Sequence, residues 1–149
     1  ETILGSCVSV LVWLPSHGLL GLSHCLLPTR QQHASSPSDA GFYLDETLQW
    51  FVWQMRLHRT SPEQYQAWIF GGGDMFARQA EHPAIGEANV RAAKLGVQHW
   101  QMSLQGADVG GTVYRKLSVD LASAAWTLDS NACQMPVVQR RPRRVMPKS

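Results

Sequence analysis

A cysteine thiol with an imidazole beside it can attack an acyl carbon, while the histidine carries the proton to the leaving group. Cys7 and His24 offer that chemistry in this chain. Cys7 follows Gly5-Ser6, a turn that can present the side chain and expose backbone N–H groups to a developing oxyanion. An imidazolium next to the thiol would hold its pKa below the free value of about 8.5. On these two residues alone, a core cysteine beside a hydrogen-bonded histidine is the plainer reading.

The elements around them must bring the pair together. Val8–Leu14 is rich in Val and Leu, ends at Pro15-Ser16-His17-Gly18 and is followed by Leu19–Leu27, which predicts a β-hairpin with two largely buried strands. With the turn centred between Ser16 and His17, Cys7 faces Leu26 and Ser9 faces His24. Side chains alternate along a strand, so Cys7 and Ser9 share a face and His24 becomes a diagonal neighbour of Cys7. Such neighbours have Cα atoms roughly 7–8 Å apart. Cys25 then points to the opposite face as a structural residue. A slip of one residue would exchange the two assignments.

Thr29–Ser38, polar and with nothing apolar larger than Ala34, is expected to be a loop. Leu44, Leu48, Phe51, Val52 and Met55 recur at helical spacing and predict a helix from Asp39, capped by Ser38 or Asp39, to about His58 or Arg59. Trp50, Trp53 and Leu57 form a second stripe, which suggests contact on two sides. A strand over Gln66–Phe70 enters Gly71-Gly72-Gly73. A helix from Glu87 to about Trp100 follows, then strands near Met102–Leu104, Val113–Val119 and Ala124–Leu128. Strands at the start, middle and end with two helices between them indicate a mixed α/β domain.

With 149 residues, 44% of them hydrophobic, the chain has material for one core, read here as a domain over 1–133 and a tail over 134–149. Five of the thirteen basic residues lie beyond position 139, leaving eight basic against eleven acidic in the body. Such a body does not suit nucleic acid. The Pro- and Arg-rich tail reads as an extended arm. Neither apolar run approaches a membrane span, and no basic leader precedes them, so neither insertion nor secretion is expected. Cys7, Cys25 and Cys133 lack the spacing of a zinc site or a disulfide framework, which fits a reducing cytoplasm.

Gly71–Gly73 lacks the Lys-Ser/Thr of a P-loop and the spacing of a dinucleotide site, so a tight turn near the active site is the reading. His17, His33, His58, His82 and His99 fall in polar or helix-end contexts without metal-ligand spacing. The six tryptophans are read mainly as core residues.

Five blocks carry a resemblance: Thr2–Val8 (TILGSCV), Leu22–Pro28 (LSHCLLP), Phe70–Phe76 (FGGGDMF), Ile85–Val90 (IGEANV), and Asp108–Gly111 with Arg115-Lys116 (DVGG…RK). In order and spacing the chain resembles the chemoreceptor glutamine deamidases of the CheD family. The resemblance implies a layered α/β/β fold, a catalytic cysteine at Cys7 and a catalytic histidine at His24. The family also uses a threonine, commonly six positions before the cysteine. Glu1 holds that place here, and Thr2 stands one nearer. Thr2 fits by chemical type, whereas strand parity counted back from Cys7 favours Glu1, so the third position stays open between them.

The implied reaction converts glutamines on the cytoplasmic helices of methyl-accepting chemotaxis receptors to glutamate through a Cys7 thioester, with no metal or organic cofactor. Backbone N–H groups near Ser6 and Cys7, or in the glycine loop, would hold the oxyanion. The alternative is a non-catalytic module that docks on a CheC-type phosphatase and regulates it.

Overall fold

The computed structural model describes residues 1–30, 41–74 and 85–132. The expected loop over Thr29–Ser38 lies for the most part outside them. So do the proposed caps Ser38 and Asp39, residues His33, His82 and Cys133, and the basic tail.

Among the described residues, seven strands form two sheets. The first holds β2 (Val8–Leu14), β3 (Leu19–Leu22), β4 (Gln66–Gly71) and β5 (Ser103–Val109), in the order β3-β2-β4-β5. The β4–β5 pair is parallel, and its crossover contains helix α2 (Ile85–His99). The second sheet is antiparallel, with β6 (Val113–Val119) between β1 (Thr2–Leu4) and β7 (Trp126–Ala132). The remaining helix, α1, spans Leu44–Leu57.

Strand parity sorts the core into two layers. Val8, Val10, Val12 and Leu14 of β2 pack with Leu44, Leu48, Val52 and Met55 of α1 and with Ala93 and Val97 of α2. On the opposite face, Leu11 and Phe70 meet Leu4 and Leu117 of the second sheet, with Cys7 and Trp13 against them. The chain is therefore a mixed α/β domain in three layers, helices on a sheet on a sheet, and its central strand β2 is covered on both faces.

The hairpin register is the expected one: Leu11 faces Leu22, Trp13 faces Leu20, and farther on Val8 bridges Cys25. Other expectations need correction. β3 is an edge strand, intermediate to exposed rather than buried, because no strand lies beyond it. α1 begins at Leu44 instead of Asp39: Tyr43 is held extended by a bridge to Leu27, and the Phe42 carbonyl accepts the N–H groups of Leu26 and Leu27, so tertiary pairing overrides the helical pattern there. Trp50, Trp53 and Leu57 face outward, 55%, 53% and 58% exposed, so α1 packs on one side only. None of the six tryptophans is fully buried. Strand β1, with no periodicity in three residues to reveal it, was not expected.

Candidate active site

His24 stands where the hairpin ladder breaks. The Ser23 N–H donates to the Val10 carbonyl at 3.0 Å, but the Val10 N–H goes to the Ser23 hydroxyl at 2.8 Å rather than to its carbonyl. The Ser23 carbonyl accepts instead from the buried Ser9 hydroxyl, at 2.5 Å. Two serines thus satisfy the groups that a regular ladder would have paired. The strand can twist at Ser23, leaving His24 exposed, and pairing resumes between Val8 and Cys25 with N···O distances of 2.9 and 2.8 Å.

Thr2 reaches His24 from the other sheet. Its hydroxyl lies 2.6 Å from the imidazole Nδ1. Along β1, Leu4 is fully buried and Ile3 is 62% exposed, so Thr2 and Leu4 share the inner face and Glu1 and Ile3 the outer one. Glu1 accordingly pairs with Lys116 Nζ at 3.1 Å and accepts from the Ser118 hydroxyl at 3.3 Å, away from His24. The parity count that favoured Glu1 fails because Gly5-Ser6 is a bend at which the chain passes from one sheet to the other.

Cys7 emerges from this bend half-buried, on the face of Leu11 and opposite that of Cys25. Cys25 is fully buried, and its thiol donates to the Thr47 hydroxyl at 3.5 Å. Burial pushes the Cys7 thiol up from its ordinary pKa, partly opposed by its own backbone N–H. Burial also lowers the His24 imidazole. Desolvation disfavours the charged form of both groups, the opposite tendency to the expected thiolate–imidazolium pair.

The glycine loop braces the bend. Gly72 N–H donates to the Cys7 carbonyl at 2.7 Å and Gly73 N–H to the Gly5 carbonyl at 2.8 Å, so these two amides are not available to an oxyanion. Among the described residues, the N–H groups of Ser6 and Cys7 donate to no backbone carbonyl. Gly71 has φ +104°, and a Cβ there would stand 2.2 Å from the Cys7 carbonyl oxygen; the close approach and the positive φ both require glycine. The loop is anchored in turn by the Asp74 N–H on the Gly111 carbonyl. The buried Arg115, which donates to Asp108 at 2.8 Å and to the Gly110 carbonyl at 2.9 Å, holds that turn.

Two features escaped the sequence reading. Asn89 of α2, fully buried, donates through Nδ2 to the carbonyls of Ser6 and Leu26, both at 2.9 Å. The only signal for it was its place in the Ile85–Val90 block. Beside His24 lies a groove of about 530 Å³ lined by Leu22, Ser23, Phe42, Trp50 and Phe51 among others. Its walls come from segments far apart in the chain. His17, His58 and His99 are exposed, as expected.

The family model described as CheD chemotactic sensory transduction matches residues 26–130, a span that Thr2, Cys7 and His24 precede. A protein of Pseudomonas savastanoi pv. phaseolicola is 35% identical over 125 residues, covering 81% of this chain and 69% of its own length. One from Pseudomonas fluorescens is also 35% identical, with the same coverage. A third, from Geobacter sulfurreducens, is 34% identical over 117 residues, 78% of this chain and 69% of that protein. Each carries the description "Probable chemoreceptor glutamine deamidase CheD", the last numbered CheD 2. On the strength of the matched span and these identities, this chain belongs to the CheD family.

Proposed function

We propose that the chain deamidates glutamine side chains on the cytoplasmic helices of methyl-accepting chemotaxis receptors, with Cys7 as nucleophile, His24 as acid–base group and Thr2 as the residue that orients His24. The single observation that carries this reading is the 2.6 Å contact of Thr2 Oγ1 with His24 Nδ1; a hairpin with Leu11 opposite Leu22 and Val8 opposite Cys25 supports a place for His24 near Cys7. A hydroxyl on Nδ1 holds the ring and its tautomer, and leaves Nε2 to exchange protons.

The Cys7 sulfur attacks the γ-carboxamide carbon while its proton passes to His24. The tetrahedral intermediate collapses with loss of the C–N bond, the nitrogen takes that proton, and ammonia leaves a thioester. Water then gives a proton to His24 and adds to the thioester carbon. The C–S bond breaks, the Cys7 sulfur recovers a proton, and glutamate is formed. These steps call for a thiol, an imidazole and water, so no metal or organic cofactor enters them. The groove beside His24, with the apolar walls of Leu22, Phe42 and Trp50, suits the apolar side of a receptor helix whose glutamine reaches Cys7. Receptor helices of this kind place the protein in the cytoplasm. Among the described residues no helix is long and apolar enough to cross a membrane.

The alternative of a non-catalytic partner for a CheC-type phosphatase drew on Glu1 in place of threonine. With Thr2 on His24 and Glu1 on Lys116, that observation no longer favours it. The test is incubation with a folded receptor cytoplasmic fragment, followed by ammonia release and by mass spectrometry of glutamine-to-glutamate conversion. Conversion by wild type and none by Cys7→Ala is expected. An inactive wild type beside an intact fragment would reject the reading.

A further inference from the structure

Asn89 occupies the point at which the hairpin stops pairing. In the register of the hairpin, Cys7 faces Leu26 one step beyond the Val8–Cys25 bridge. Antiparallel residues one step beyond a hydrogen-bonded pair turn their backbone groups away from each other. Leu26 N–H duly goes to the Phe42 carbonyl, and the Cys7 carbonyl goes to Gly72 N–H. The carbonyls of Ser6 and Leu26 are left over, and the carboxamide of Asn89 takes both with its two N–H donors. These contacts fix which side of the amide carries nitrogen, since an oxygen turned to two carbonyl oxygens would be repelled. Its Oδ1 is buried and has no partner among the described residues. An acceptor left without a donor costs stability, so what recommends asparagine here is its pair of donors.

The Ser6 carbonyl and the Cys7 N–H belong to one trans peptide plane and point in opposite directions. Asn89 draws the carbonyl toward α2, which turns the Cys7 N–H away from the helix layer. That N–H lies within reach of its own thiol sulfur, and among the described residues it donates to no backbone carbonyl. An acyl oxygen on a carbon bonded to Cys7 Sγ would come close to the same donor.

We propose that Asn89 is a positioning residue that aims the Cys7 N–H as the oxyanion donor, by holding the Ser6 carbonyl on the opposite side of the peptide. The proposal rests on Cys7 being the nucleophile and asks nothing of the substrate's identity. Asn89 touches no reacting atom, and its effect passes through the Ser6–Cys7 peptide.

Two reactions of the same thiol separate this role from a merely structural one. Acylation by p-nitrophenyl acetate forms a C–S bond through an oxyanionic intermediate, sends the thiol proton to His24 and releases p-nitrophenolate. Alkylation by iodoacetamide displaces iodide at a saturated carbon and makes no oxyanion. Both are followed on the Cys7 peptide by mass spectrometry, with Cys7→Ala as the blank. In Asn89→Ala, acylation should fall roughly 10- to 100-fold, less than the about 10²- to 10³-fold cost of removing an oxyanion donor outright because the N–H is only misaimed, while alkylation stays near the wild-type rate. Asn89→Ser keeps one donor and should lie between, which covers the case of Asn89→Ala failing to fold. Val97→Ala, in the core of the same helix, should lower the melting temperature yet leave both rates alone. An equal fall in acylation and alkylation, or no fall in either, overturns the proposal. Wild type that acylates normally but releases no ammonia from any receptor fragment would instead count against the deamidase reading and leave the ratio readable.

Discussion

Thr2, in the first strand of the second sheet, and His24, just beyond the end of β3, meet at 2.6 Å. The contact turns on hydroxyl chemistry. Thr2→Ala should lower kcat by about 10²-fold, the low end for a compromised proton-transfer partner, with KM little changed, and Thr2→Ser should recover most of it. Glu1→Gln should leave both constants at wild-type values, because Glu1 faces Lys116. Steady-state kinetics on a receptor fragment checks all three.

Cys7→Ala and His24→Ala should each reduce turnover on the order of 10⁴-fold or more, as loss of one member of a nucleophile–base pair does. Circular dichroism should remain native in both. Cys25→Ala should keep its turnover and lose some thermal stability, since that thiol is packed on the helix face and bonded to Thr47.

Burial lowers the His24 pKa and raises that of Cys7. The acid limb of the pH–rate profile should fall below the ordinary histidine value of about 6.5, and the alkaline limb above the ordinary cysteine value of about 8.5. Folding stability follows the same groups. Below about pH 6.5 the unfolded chain binds the His24 proton first, so stability declines as pH falls through the lowered folded pKa. Above the thiol's ordinary value the unfolded chain gives up the Cys7 proton first, and stability declines as pH rises. His24→Ala and Cys7→Ala should each flatten one side of a melting-temperature profile.

Trp50→Glu should raise KM for a receptor fragment and leave kcat and melting temperature nearly unchanged. The side chain walls the groove beside His24 yet is 55% exposed, so little core packing is lost with it. An unaltered KM would place substrate binding elsewhere.

Gly71→Ala should destabilise the domain by about 1–3 kcal/mol, the usual range for a residue held in sparsely populated backbone geometry. It should also slow acylation of Cys7, whose carbonyl the new methyl would strike. Chemical denaturation gives the first quantity and the p-nitrophenyl acetate reaction the second.

Where local pattern determined geometry, the sequence could be read. Strands Val8–Leu14 and Val113–Val119 have the expected bounds, and the turn fixed a register that sends Cys7 and Cys25 to opposite faces. The third position escaped because parity can be counted only along an unbroken strand, and Gly5-Ser6 breaks it. Asn89 escaped because its partners, Ser6 and Leu26, lie far away in the chain and an isolated helical asparagine has no period to betray it. The state of the thiol escaped for a different reason. Proximity of an imidazole suggested an ion pair, whereas burial, which cannot be read from spacing, disfavours both charges.

The pairing of β1 with β6 sets Thr2 against Leu117, and this has a temporal consequence. On a ribosome that adds residues in order, Cys7, Ser9 and His24 can find their hairpin register early, by short-range contacts. Thr2 cannot take its place until β6 has left the exit tunnel. Until then the nascent chain would carry Cys7 and His24 without the hydroxyl that meets the imidazole, and that contact would form only after the hairpin, by a long-range pairing.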